Sequence, residues 1–174
     1  KDHRIFSNYG VILKNLGQLK DAEWSYRQAI EIKPDFAQAH YNLGSILKGL
    51  GKLQDAELLL CKAIKLKPDF AIAHYNLGNI LKDLGNLKEA ELSLQTAIEI
   101  NPDCAEAHSN LGNILRDLGK LQEAELSTRK AIEIKPDYVD AHTNLGLILR
   151  DLGKSDEAFD SYLKAIDINP KNSN

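Results

Sequence analysis

The chain of 174 residues has no methionine, one tryptophan and only two cysteines, Cys61 and Cys104. The two cysteines stand at unrelated places in the chain, so a disulfide framework is not expected. They read as two partly buried thiols of a protein kept in a reducing, cytoplasmic setting. No apolar run approaches the roughly 20 residues that cross a bilayer, and no signal peptide opens the chain. Instead it begins Lys1-Asp2-His3-Arg4 without an initiator methionine, which reads as a fragment of something longer. Net charge is −3. Phosphate binding needs a concentrated basic face, so nucleic acid is not expected as a partner, and neither is a membrane. Catalytic signatures are missing too: there is no Gly-rich phosphate loop, no workable Ser/His/Asp set and no Cys/His metal pattern. The chain is therefore expected to be no enzyme and to need no cofactor or metal.

Proline is scarce but strictly placed. Pro34, Pro68, Pro102, Pro136 and Pro170 are the only five, each 34 residues from the next. Such a period means one supersecondary unit written repeatedly. The units run approximately 3–36, 37–70, 71–104, 105–138 and 139–172, with no linker, giving one array over 1–174. The glycines keep the same frame. Gly17, Gly51, Gly85, Gly119 and Gly153 each follow a leucine at the end of a periodic segment, where a left-handed residue closes a helix. Gly10, Gly44, Gly78, Gly112 and Gly146 lie inside a helical pattern, at a cost of roughly 1 kcal/mol relative to alanine. Their recurrence predicts a neighbouring helix too close to admit a side chain.

Each unit is expected to hold two helices. In the third, Ala73, Leu77, Ile80, Leu81 and Leu84 make one apolar stripe at helical period, and Leu87, Ala90, Leu94, Ala97 and Ile98 make the second. The second helix stops before proline, which pushes its predecessor out of helical geometry. Asp35, Asp69, Asp103 and Asp137 are expected to cap the following helices, with Glu106 reciprocating to Asp103. The fold class is all-α, with stacked antiparallel helix pairs burying one continuous core.

The Leu43-Gly44 and Leu77-Gly78 pairs resemble the motif of the tetratricopeptide repeat family. So do two alanine series seven residues apart (Ala22, Ala56, Ala90, Ala124, Ala158, then Ala29, Ala63, Ala97, Ala131, Ala165) and the closing proline. The resemblance spans essentially the whole chain, and is greatest to bacterial arrays and to the superhelical repeat region of O-GlcNAc transferase. It implies a right-handed α-solenoid of five helix-turn-helix repeats, with a concave groove lined by the first helices. His40, His74, His108 and His142, with Phe6, replace the family's usual early aromatic. Stacked helices lie about 8–10 Å apart while Zn–N bonds are about 2 Å, so the histidines are read as packing residues.

Opposite the apolar stripe of the first helices run Asn8, Asn42, Asn76, Asn110 and Asn144. Asparagine is a poor helix former, and its carboxamide can pair with both the C=O and N–H of an extended peptide. In O-GlcNAc transferase a similar ladder contacts the peptide backbone. Bonding between adjacent helices, or simple duplication, would equally produce the series. Around it lie Tyr41, Tyr75, Asn79 and Asn113. At the margin run Lys14, Lys48, Lys82, Arg116 and Arg150, with Asp83, Asp117 and Asp151 diluting their field. The family's clamp for C-terminal carboxylates needs cations deep in the groove. Ser7, Tyr41, Tyr75, Ile72, Glu106 and Asp140 stand there, which argues against it.

The expected function is a protein-interaction scaffold that binds an extended peptide in the groove. The alternative is the targeting segment of a longer enzyme, such as a glycosyltransferase. An outward stripe of Trp24, Leu58, Leu92 and Leu126, with Leu59 beside it, is a second candidate surface. Only Lys171-Asn172-Ser173-Asn174 follow the last proline, so Phe159, Tyr162, Leu163 and Ile166 are expected to expose apolar surface. Head-to-tail self-association is expected.

Overall fold

The computed structural model describes residues 2–169, which contain ten helices and no strand. The helices are α1 (His3–Asn15), α2 (Leu19–Ile32), α3 (Ala37–Gly49), α4 (Leu53–Leu66), α5 (Ala71–Asp83), α6 (Leu87–Ile100), α7 (Ala105–Asp117), α8 (Leu121–Ile134), α9 (Val139–Asp151) and α10 (Ser155–Ile168). The all-α reading therefore holds. The chain divides into two compact units, Lys1–Asn86 and Leu87–Asn174. In the first, α1 packs on α2, α3 packs on both α2 and α4, and α4 packs on α5. In the second, α6, α7, α8, α9 and α10 pack in the same successive order. Pro170 and the residues after it lie outside the described residues.

The helix stops work as the sequence predicts. Gly119 has φ +76°; its N–H reaches Arg116 O at 2.9 Å and the next N–H, of Lys120, reaches back to Leu115 O at 2.8 Å. This is the double closure that only a left-handed residue allows, and it satisfies carbonyls that the helix leaves unpaired. Gly17, Gly51, Gly85 and Gly153 repeat it. In the other glycine series, Gly10, Gly44, Gly112 and Gly146 have the predicted close neighbours: a Cβ at Gly44 would stand 3.2 Å from Ala56 O, and one at Gly112 3.2 Å from Ala124 O.

The helix starts do not follow the prediction. Phe36, Phe70, Cys104 and Tyr138 occupy the N-cap positions, and none donates or accepts a side-chain cap bond. Asp35, Asp69, Asp103 and Asp137 lie one residue too early to cap. In each case the N-cap residue's N–H bonds back to the carbonyl before proline, as from Phe36 to Lys33 at 3.1 Å and from Tyr138 to Lys135 at 3.1 Å. Proline and aspartate are thus the two central residues of a β-turn, places both favour. Glu106 faces Lys135 at 3.7 Å instead of reciprocating a cap. Asp2 does cap, accepting from Arg4 N.

The histidines fasten these turns. Nε2 of His40, His74, His108 and His142 donates to the carbonyl of Pro34, Pro68, Pro102 and Pro136 at 2.8, 2.9, 3.0 and 2.9 Å. A proline carbonyl offers only an acceptor, so each ring carries its proton on Nε2. Their role is a tether as well as packing.

Candidate peptide-binding faces

Every asparagine of the sequence ladder lies on a first helix: Asn8 on α1, Asn42 on α3, Asn76 and Asn79 on α5, Asn110 and Asn113 on α7, and Asn144 on α9. Asn8 is exposed and the others are half-buried. In the N-terminal unit, Asn76 Nδ2 donates to Tyr41 Oη at 3.2 Å, bridging α5 and α3. The Tyr41 ring in turn rests 5.0 Å from the Phe70 ring. Gln38 Nε2 donates to Asn42 Oδ1 at 3.0 Å. Tyr75 is half-buried on α5. In the C-terminal unit, Asn144 Nδ2 donates to Ser109 Oγ at 3.0 Å, bridging α9 and α7. Bonding between adjacent first helices, one of the readings open at the sequence level, is therefore real at two positions. Each bond uses one of the two amide hydrogens of its carboxamide.

Three cations of the margin are paired with the following aspartates. Lys48 lies 4.0 Å from Asp83, and Arg116 lies 3.2 Å from Asp151, which also takes Arg150 at 3.0 Å. Lys14 and Lys82 share the register position on α1 and α5. The Lys48–Asp83 and Arg116–Asp151 pairs link one first helix to the next.

Sequence reasoning missed two clefts in the C-terminal unit. One, of about 420 Å³, lies between α6 and α8 over His108 and Leu111. The other, of about 410 Å³, lies between α8 and α10 over His142 and Leu145. Their linings match residue for residue at the repeat interval, so the period held the signal, but the space between helices is not written in it. Trp24, Leu58, Leu92 and Leu126 are exposed as predicted, and Leu59 is half-buried. Cys61 is exposed rather than partly buried, because its place on the second helix is the outward one that Arg27 and Arg129 hold elsewhere. Cys104 is half-buried, and burial raises its thiol pKa; the exposed Cys61 thiol is also raised, by the part of it turned toward the helix and by the Glu57 carboxylate. Among the described residues no group of three or more His, Cys, Asp or Glu could hold a metal ion, and no helix is long and apolar enough to cross a membrane.

Models of the TPR repeat match residues 10–51, 49–85 and 78–119, and the tetratricopeptide repeat model matches 105–138 and 139–172. The chain belongs to the tetratricopeptide repeat family. Tetratricopeptide repeat proteins serve as protein–protein interaction scaffolds. No curated protein matches the sequence. Among solved structures, MamA is similar at 27% identity and TM-score 0.86, over 94% of this chain and 96% of that one. YrrB, described as a TPR protein with an unusual peptide-binding site, is similar at 28% identity and TM-score 0.82, over 96% of this chain and 86% of that one. PilF of Pseudomonas aeruginosa, at 20% identity and TM-score 0.87 over 98% of this chain and 78% of that one, shows the fold alone. These tetratricopeptide structures support a helical solenoid.

Proposed function

We propose that this chain is a non-catalytic scaffold that holds an extended segment of a partner protein against the asparagine-bearing faces of its first helices. The carrying observation is the pair of anchored carboxamides. Asn76 is fixed by Tyr41 and Asn144 by Ser109, each at the same place in its repeat. An anchored amide loses little freedom on binding, and a carboxamide's oxygen and second hydrogen can meet a peptide N–H and C=O. Asn8, Asn42 and Asn110 extend the series, with Asn79, Asn113, Tyr41 and Tyr75 beside it. Lys48, Lys82, Arg116 and Arg150 form the margin, and the ion pairs made by Lys48, Arg116 and Arg150 disfavour selection for a strongly charged ligand. The likeness to YrrB supports a peptide ligand. Neutral hydrogen bonds contribute a net of about 0.5–1.5 kcal/mol each, so an affinity on the order of micromolar or weaker is expected. Two free thiols suit a reducing, cytoplasmic compartment.

The test starts with peptides selected from a displayed random library. Their affinities are then measured for the wild type and for the Asn76→Ala/Asn110→Ala double variant, with thermal melting to confirm folding. Backbone N-methylation of the peptides and the double substitution should each weaken binding about tenfold or more. A folded double variant that binds them as tightly as the wild type would overturn the reading.

A further inference from the structure

We propose that the outer face of α6, α8 and α10 is a second docking surface, which takes a basic amphipathic helix of a partner protein and seats one bulky apolar side chain in each of its two clefts. The clefts arise from the stacking. The first helices of these repeats pack on one another, α7 on α9, whereas α6, α8 and α10 do not. Instead α6 and α8 both lean on α7, and α8 and α10 both lean on α9. Apolar side chains line the space between them, Ile98 and Leu111 in the first cleft and Ile132 and Leu145 in the second. The exposed Leu126 borders the first. Because the linings recur at the repeat interval, they belong to the repeat and not to one place in the chain. Ser127 and Ser161 are the small residues in them. At the equivalent place on α4 stands Leu59, larger and half-buried.

Charge selects a basic occupant. α6, α8 and α10 carry four Lys and Arg against ten Asp and Glu, whereas α2 and α4 carry four against five. Lys120 and Lys154 reach back from the turns to Glu91 and Glu125 at 2.7 and 2.8 Å; with both counted the face still has six against ten. Two basic residues of the linings are already engaged, Arg129 with Glu125 and Glu157, and Lys130 with Glu133. Such a face attracts a basic segment and repels an acidic one. Backbone chemistry selects a helix. An extended segment needs partners for its N–H and C=O groups, and the outward sides of helices offer no backbone edge. A helix satisfies its own groups and lays an apolar face into a groove. Two turns of it separate side chains by about 11 Å, a little more than the roughly 8–10 Å between helices in direct contact. Residues seven or eight apart therefore match clefts one splayed repeat apart. The asparagine faces play no part in this argument, and the two surfaces stand or fall separately.

The experiment selects binders to the 174-residue chain from a displayed library of single helices with randomised outward positions. The selected helices should be rich in Lys and Arg and carry two bulky apolar residues seven or eight apart. Their affinities are then measured by fluorescence anisotropy for the wild type and three variants, each checked for folding by thermal melting. Ser127→Leu and Glu99→Lys bring in residues that α4 already carries at the same places, Leu59 and Lys65, so the fold accommodates both. Ser127→Leu fills the first cleft and should weaken binding about tenfold or more. Glu99→Lys should weaken it about three- to tenfold and reduce its salt dependence. Asn76→Ala/Asn110→Ala should leave it unchanged, which separates this surface from the asparagine faces. A library that yields no binding helix, selected helices that are acidic or neutral, unchanged binding to Ser127→Leu, or loss of binding to the asparagine double variant would each overturn the proposal.

Discussion

Tyr41 Oη accepts a hydrogen bond from Asn76 Nδ2 at 3.2 Å, tying the first helix of one repeat to that of the next. The same bond that stabilises the stack also aims the carboxamide. Tyr41→Phe should lower stability by about 0.5–1.5 kcal/mol, read from urea denaturation midpoints. It should weaken binding of library-selected peptides by less than Asn76→Ala does. If the two substitutions lower stability alike and neither changes peptide affinity, Asn76 is a structural residue only.

Three glycines should respond differently to alanine. Gly112→Ala forces a Cβ against Ala124 O and the Thr128 side chain, and overpacking of this kind costs about 1–3 kcal/mol. At Gly119 the space is open but φ is +76°, so alanine there costs about 1–2 kcal/mol through backbone strain alone. Gly49 has open space and is the last residue of α3. Gly49→Ala should stabilise by a few tenths of a kcal/mol up to about 1, raising the melting temperature by up to about 4 °C. Calorimetry on the three variants checks both the order and the opposite sign.

The repeat junctions should weaken in acid. Lys154, then Arg129, hold the Glu125 carboxyl below the usual glutamate range, and Arg27 does the same foremost for Glu23. The folded value lies below the unfolded one, so this stabilisation is fully present above the ordinary value of 4.5. It is lost as pH falls through the lowered value. Denaturation midpoints should therefore drop below about that ordinary value, and Glu125→Gln should flatten the acid limb. An unchanged limb would show that the pair contributes nothing.

The histidine tether should be separable from histidine packing. Phe6 already occupies the equivalent place in the first repeat, so His142→Phe keeps an aromatic ring but removes the bond to Pro136 O. The expected loss is about 0.5–1.5 kcal/mol, measured by chemical denaturation. A larger loss would show that the ring, not the bond, fits the site poorly.

Much of this was legible in the residues because it is local. The glycine after each leucine could be read as a left-handed closure, since a helix that stops there needs a residue without a Cβ penalty. The aspartates after the prolines misled for a reason equally local: Pro-Asp serves a turn and a cap about as well, and only the backbone shows that the turn takes both. The asparagine series was visible, but its bonds to Tyr41 and Ser109 were not, because those partners stand 35 residues away.

By itself the sequence determined the repeat, the helices and where they stop, because 34-residue periodicity, proline and glycine act within one or two turns of chain. Only the tertiary structure decided which amides are anchored, which cations are neutralised and which apolar faces lie open. Those outcomes depend on what a neighbouring repeat brings within about 4 Å, the reach of a hydrogen bond or a packed side chain.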